Sequence, residues 1–268
     1  MVLSGGAIRG FGILGALQYL QDVDSLKDIR RWIGTSIGSL ISYLMCIGYT
    51  PTEMMVFFCQ KGLFEKLVHV DVAAMIHGGG ALSFSIIQDM VEKLTIQKIK
   101  KYITFGELYQ KYQKELVVCA YNLSLGKTEY FSHVTHPDMN CITAIRMSCS
   151  LPFLFEPFRY DDYEYIDGGI GDNFPLSQVG EERAIGIHIV DRAAPGDDAN
   201  LIGRIYSTIL IPIQRVEELL VEQNRGKKID IVPIVIPAYM SLALNISNTE
   251  KFDLFSVGYE AIKKHLAL

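Results

Sequence analysis

The stretch Gly34-Thr35-Ser36-Ile37-Gly38 constrains this chain more than any other short segment. It follows the strand-like Trp32-Ile33 and opens an uncharged apolar run that reads as a helix to about Ile47. G-x-S-x-G between a strand and a helix is the pattern of a nucleophile elbow, a tight turn that lifts a serine hydroxyl above a sheet. The helix behind the turn directs the positive end of its dipole toward that hydroxyl. The pattern therefore asks for an α/β architecture. The remaining sequence supplies one: strand-like runs at 2–4, 116–121, 128–131, 164–166, 184–190 and 229–236 alternate with helical spacing at 11–20, 54–67 and 256–266. The continuous apolar runs 184–190 and 229–236 read as central parallel strands. Residues 68–80, with three consecutive glycines, read as a mobile loop. No repeat or linker-like shift interrupts the 268 residues, so the expectation is a single domain over 1–268 with a mostly parallel central sheet.

Composition removes several classes of function. The chain is 49% apolar with a formal charge of −5, which excludes disorder and offers no basic face for nucleic acid. The five cysteines (Cys46, Cys59, Cys119, Cys141, Cys149) are scattered and never paired as CxxC, the pattern of reduced thiols inside a cell. No signal peptide is visible at the start of the sequence. Residues 32–52 carry no charge, but their glycines, hydroxyls and Pro51 fit a buried helix better than a membrane span. The expectation is an intracellular, soluble protein, peripheral at membranes if it meets them.

Several residues can carry chemistry. Near the start, Gly10-Phe11-Gly12-Ile13-Leu14-Gly15 satisfies G-x-G-x-x-G literally, yet Ser4 to Arg9 separate it from the first strand, against a dinucleotide loop. Two other readings stand: Gly5-Gly6-Ala7 presents backbone N–H groups to an oxyanion, or Gly12 and Gly15 allow a helix to sit in close contact with the sheet. The order Ser36, Asp167, His188 formally suits a Ser-Asp-His triad, but His188 lies inside a strand-like run. His133 and His136 lack an evident third ligand, so no metal is expected. Met54, Met55, Phe57, Phe58, Leu63 and Phe64 suit either an acyl chain or a helical core. Lys98, Lys100 and Lys101 suit either an anionic surface or a solvated face.

Three ordered blocks, Ser4-Gly5-Gly6-Ala7-Ile8-Arg9-Gly10, Gly34-Thr35-Ser36-Ile37-Gly38 and Asp167-Gly168-Gly169, together resemble the patatin-like phospholipase family. Residues 148–157 (SCSLPFLFEP) and 167–175 (DGGIGDNFP) resemble it as well. The resemblance implies a patatin-like variant of the α/β-hydrolase architecture and a lipid acyl hydrolase of phospholipase A type. It implies a Ser36–Asp167 dyad, an oxyanion loop of Gly5, Gly6, Ala7, Ile8, Arg9 and Gly10, and an elbow supported by Gly34, Thr35 and Gly38. Gly168 and Gly169 would support the acid. No cofactor or metal is implied; the partner is a lipid or acyl-ester substrate, with transient contact at a membrane surface. Arg9 would brace the loop or touch an anionic head group. Ala7 stands where the family usually has a third glycine, which costs energy if its φ is positive. The alternative function is a catalytically silent lipid-binding or interaction protein on the same scaffold.

Overall fold

A computed structural model describes residues 1–60, 80–191, 201–224, 228–236 and 246–267. The described strands form one eight-stranded sheet. Its parallel part runs, in spatial order, β8 (Ile229–Ile236), β7 (Ala184–Asp191), β1 (Val2–Leu3), β2 (Arg31–Thr35) and β3 (Glu115–Asn122). Antiparallel strands complete it: β4 (Lys127–Phe131) and β6 (Tyr163–Asp167) pair with β3, and β5 (Phe158–Tyr160) pairs with β6. β1 has two residues only, yet both are fully buried between parallel neighbours. The run 229–236 is not a central strand. Among the described residues β8 pairs only with β7, and its residues alternate between buried and exposed, as an edge strand tolerating Pro233 should.

The two-residue period of the strands divides the core between the faces of the sheet. Leu3, Trp32, Leu116 and Val118 join a large cluster on one face, covered by α1 (Gly10–Asp22), α2 (Ile37–Cys46) and α9 (Asn248–Leu266). Val2, Ile33 and Val117 point the other way, onto Phe174, Leu176 and Val179, with Val221 of α8 (Leu201–Asn224) packed against them. The other α-helices among the described residues are α3 (Pro51–Phe58), α4 (Ser85–Ile99), α5 (Phe105–Tyr112), α6 (Cys141–Ser148) and the one-turn α7 (Gly169–Asp172). No described helix is long and apolar enough to cross a membrane.

The G-x-G-x-x-G lies inside α1 and serves packing. A β-carbon on Gly15 would fall 1.8 Å from the Phe255 carbonyl oxygen of α9, and one on Gly258 would fall 1.8 Å from the Gly12 carbonyl oxygen. α1 and α9 thus meet backbone to backbone, so the close contact these glycines allow is chiefly helix on helix rather than the expected helix on sheet, and no phosphate cradle is left at them. α3 starts at Pro51 under a Thr50–Glu53 capping box; the rest of the helix expected over 54–67, with Leu63 and Phe64, and nearly all of the loop at 68–80 lie outside the described residues. α9 starts eight residues before its expected position, at a Ser247–Glu250 capping box.

Candidate active site

The strand registers bring Ser36 and Asp167 together. β4 pairs with Val118 to Asn122 along one edge of β3, so β2 and β6 share the other edge. β2 runs parallel and ends with Thr35 opposite Cys119; β6 runs antiparallel and ends with Asp167 opposite Ala120. Two strands that approach from opposite directions therefore end tip to tip on adjacent residues of β3. Ser36 Oγ, one residue past the first tip, donates a hydrogen bond of 2.6 Å to Asp167 Oδ2.

Ser36 occupies φ 53°, ψ −127°, a conformation that a β-carbon makes costly by about 1–3 kcal/mol. Its surroundings enforce it. The Ser36 N–H donates to Ser148 Oγ at 2.8 Å, Ser148 in turn donates to the Cys119 carbonyl, and Ser39 Oγ donates to the Ser36 carbonyl at 2.6 Å. Gly38 must lack a side chain, since its β-carbon would lie 2.5 Å from the Leu3 carbonyl oxygen of β1. The elbow is thereby pressed against the central strand.

Asp167 is 3% exposed, and its other oxygen, Oδ1, accepts from the Gly169 N–H at 2.7 Å. Burial pushes its pKa up from 3.8 to about 6, against the opposing pull of the Ser36 hydroxyl and the Gly169 amide. The nearby Cys149 thiol is also pushed up, first by burial and then by the Asp167 charge. No described imidazole contacts either residue. His188 lies within β7, buried and stacked on Phe174 with ring centroids 4.8 Å apart. His133 stacks on Tyr109, and His136 tilts against Phe131.

The loop from β1 into α1 passes beside Ser36. Gly5 donates to the Asn173 carbonyl at 3.0 Å, and both the Arg9 N–H and Arg9 Nε donate to the Gly6 carbonyl at 3.0 Å. Arg9 is buried and braces this loop. Among the described residues the N–H groups of Gly6, Ala7 and Ile8 meet no protein acceptor. Ala7 has φ 48°, so the position favours glycine and the alanine is strained by about 1–2 kcal/mol. Gly10 packs on Ile37, and Gly168 packs on the Cys119 carbonyl.

A cavity of about 830 Å³, including its open mouth, begins at these groups. Ala7, Ile8, Ser36 and Asp167 stand at its polar end; Phe11, Leu14, Leu40, Phe58, Met90, Leu154 and Phe155 make the rest apolar. Of the methionines and phenylalanines around α3, Phe58 lines it, while Met54, Met55 and Phe57 are buried in the core. The lysine cluster is occupied by neighbours: Lys98 pairs with Glu53, Lys101 with Glu107, and Lys100 caps the Gln97 carbonyl.

The fold and these motifs define a patatin-like α/β protein, and the model of the patatin-like phospholipase family matches residues 1–179. The chain belongs to that family. It is similar to a probable lipid hydrolase, 463L, of Invertebrate iridescent virus 6, with 30% identity over 97% of this chain and 86% of that protein. The uncharacterized YqhO of Bacillus subtilis is 27% identical over 78% of this chain and 79% of that protein. Among solved structures, VipD from Legionella pneumophila superposes with TM-score 0.58 at 15% identity, over 99% of this chain and 66% of VipD. The type III effector ExoU gives the same TM-score and identity over 99% of this chain and 52% of ExoU. This chain thus spans half to two thirds of the length of those two proteins, which share its fold.

Proposed function

We propose that this chain cleaves acyl esters of phospholipids or related lipids by a phospholipase A-type reaction through a Ser36–Asp167 dyad. The observation that carries the reading is the 2.6 Å hydrogen bond from Ser36 Oγ to Asp167 Oδ2 at the polar end of an apolar cavity. Ser36 Oγ attacks the ester carbonyl while its proton passes to Asp167. The new oxyanion is held by the free N–H groups of Gly6, Ala7 and Ile8; such a donor is typically worth about 3 kcal/mol in the transition state. Collapse expels the alcohol, which takes the proton from Asp167. Water then attacks the acyl-serine with Asp167 again as base; as the acyl–Oγ bond breaks, Asp167 returns that proton to Ser36 Oγ and the fatty acid leaves. A carboxylate with a pKa near 6 is ionised at neutral pH and basic enough to share the serine proton. The acyl chain occupies the apolar cavity, and the lipid is met at a membrane surface.

The silent-scaffold alternative rests on Ala7. Its strain of about 1–2 kcal/mol is small beside the bonds fixing the loop at Gly5 and Gly6, and it leaves the N–H groups free. The test is a panel of phospholipids, lysophospholipids, galactolipids and glycerides with a short-chain chromogenic ester, run beside Ser36→Ala. Turnover on at least one lipid, lost by at least about a thousandfold in Ser36→Ala, is expected. Turnover that survives the substitution contradicts the dyad, and no turnover on any ester favours the silent scaffold.

A further inference from the structure

The two halves of the site, the loop carrying the free N–H groups and the turn carrying Asp167, are in contact through one side chain that the reaction itself does not use. The Asn173 carboxamide oxygen sits between them. A β-carbon on Gly5 would fall 2.1 Å from it, and a β-carbon on Gly169, whose N–H holds Asp167, would fall 2.8 Å from it. The Asn173 backbone also accepts from the Gly5 N–H at 3.0 Å. Its own segment is pinned from below, because Thr35 Oγ1 donates to the Asp172 carbonyl at 2.8 Å and Tyr130 donates to Asp172 Oδ2 at 2.7 Å.

What orients the carboxamide lies on α8, outside the residues that the family model matches. Asn173 Nδ2 donates to Glu217 Oε1, and Glu217 is 5% exposed. A carboxylate can only accept, so it forces the NH₂ end of Asn173 outward and leaves the oxygen facing Gly5 and Gly169. The second Glu217 oxygen lies 3.5 Å from His188 Nε2, whose ring is fixed by stacking on Phe174. A carboxylate is rarely buried so completely unless held by polar partners; here the Asn173 carboxamide hydrogen-bonds it, while His188 Nε2 stands beside it and makes no hydrogen bond among the described residues.

We infer that Glu217 is a positioning residue: through Asn173 it sets the spacing between the oxyanion loop and the Asp167 turn. The inference rests on the dyad reading above. Displacing one half of the site from the other by even a fraction of an ångström should slow the chemical step and leave substrate binding nearly intact, since neither Asn173 nor Glu217 lines the apolar cavity.

Glu217→Gln and Glu217→Met separate this role from a merely structural one, with folding checked by near-ultraviolet circular dichroism. Glutamine keeps an acceptor at the same reach and is expected to recover most of the rate. Methionine fills the volume without a comparable acceptor and is expected to lower kcat on a short-chain chromogenic ester by about tenfold or more, with KM within about twofold. Labelling of Ser36 by a fluorophosphonate should slow in parallel. An unchanged kcat in the methionine variant overturns the inference, as does a loss equally large in the glutamine variant. If Glu217→Met does not fold, Asn173→Ser, which shortens the wedge and leaves Glu217 in place, takes its role: the same loss of kcat is expected, and an unchanged kcat overturns the inference. Turnover surviving in Ser36→Ala would instead overturn the dyad reading, whatever Glu217 does.

Discussion

The elbow at Ser36 and the loop at Ala7 both place a residue with a β-carbon at positive φ, yet they are built in opposite ways. At the elbow the backbone is bonded on both sides: the Ser36 N–H goes to Ser148, its carbonyl receives Ser39, and its side chain goes to Asp167. At the loop the N–H groups of Gly6, Ala7 and Ile8 have no protein acceptor among the described residues, and the bonds that hold it act through the Gly6 carbonyl and through Gly5 and Ser4. A nucleophile can be over-determined because only its oxygen must be free. An oxyanion loop must keep its donors empty, so its rigidity has to come from behind. On the proposed reading, the chain of support running from Gly5 through Asn173 to Glu217 on α8 supplies that rigidity.

The largest effect should come from breaking the elbow at its acid. Asp167→Asn cannot accept the serine proton and should lower kcat by about a thousandfold or more. The same change should stabilise the fold. With a folded pKa raised from 3.8 to about 6, Asp167 binds its proton more tightly in the folded chain, so its contribution is fully present below about pH 4 and lost as pH rises through 6. At pH 7.5 the buried charge costs about 3 kcal/mol, which an amide relieves in part. Thermal melting should therefore show Asp167→Asn above wild type at pH 7.5, with the gap closing toward pH 4. A variant less stable than wild type at pH 7.5 would mean that Asp167 is held by stronger partners than Ser36 and Gly169.

The loop should respond much less. Ala7→Gly removes about 1–2 kcal/mol of folded-state strain but adds unfolded-state freedom worth about 0.5–1 kcal/mol, so the net gain in stability should stay within about 1.5 kcal/mol. Denaturant melts should show a small shift, and kcat on a short-chain ester should change less than about threefold. A rise in kcat beyond tenfold would show instead that the alanine damps the loop and that the two halves of the site are unequally tuned.

Much of this was legible because glycine patterns report local geometry. The elbow at 34–38, the loop at 5–10 and the Asp167-Gly168-Gly169 turn each announce a tight backbone path over a few residues, and β7, β3 and β4 follow from apolar runs. The helical role of Gly12 and Gly15 could be weighed but not decided, because the partner that comes within 1.8 Å is 240 residues away. The tip-to-tip meeting of β2 and β6 depends on pairing register with β3, which no single segment encodes. Glu217 was invisible for a similar reason: nothing in the run 201–224, interrupted by Pro212, marks one glutamate among several as the buried one. The early start of α9 was readable, since Ser247-Asn248-Thr249-Glu250 is a capping box, as is Thr104-Phe105-Gly106-Glu107 before α5.

The central claim is that Ser36 is a nucleophile activated directly by Asp167. Reaction with a fluorophosphonate, followed by peptide mass mapping and repeated from pH 4.5 to 8.5, tests it most directly. A single adduct on Ser36 is expected, forming at a rate that falls below a midpoint near pH 6 as Asp167 takes up its proton, and nearly absent in Asp167→Asn. An adduct on another residue with Ser36 untouched, or Ser36 labelled equally fast in Asp167→Asn, would contradict it.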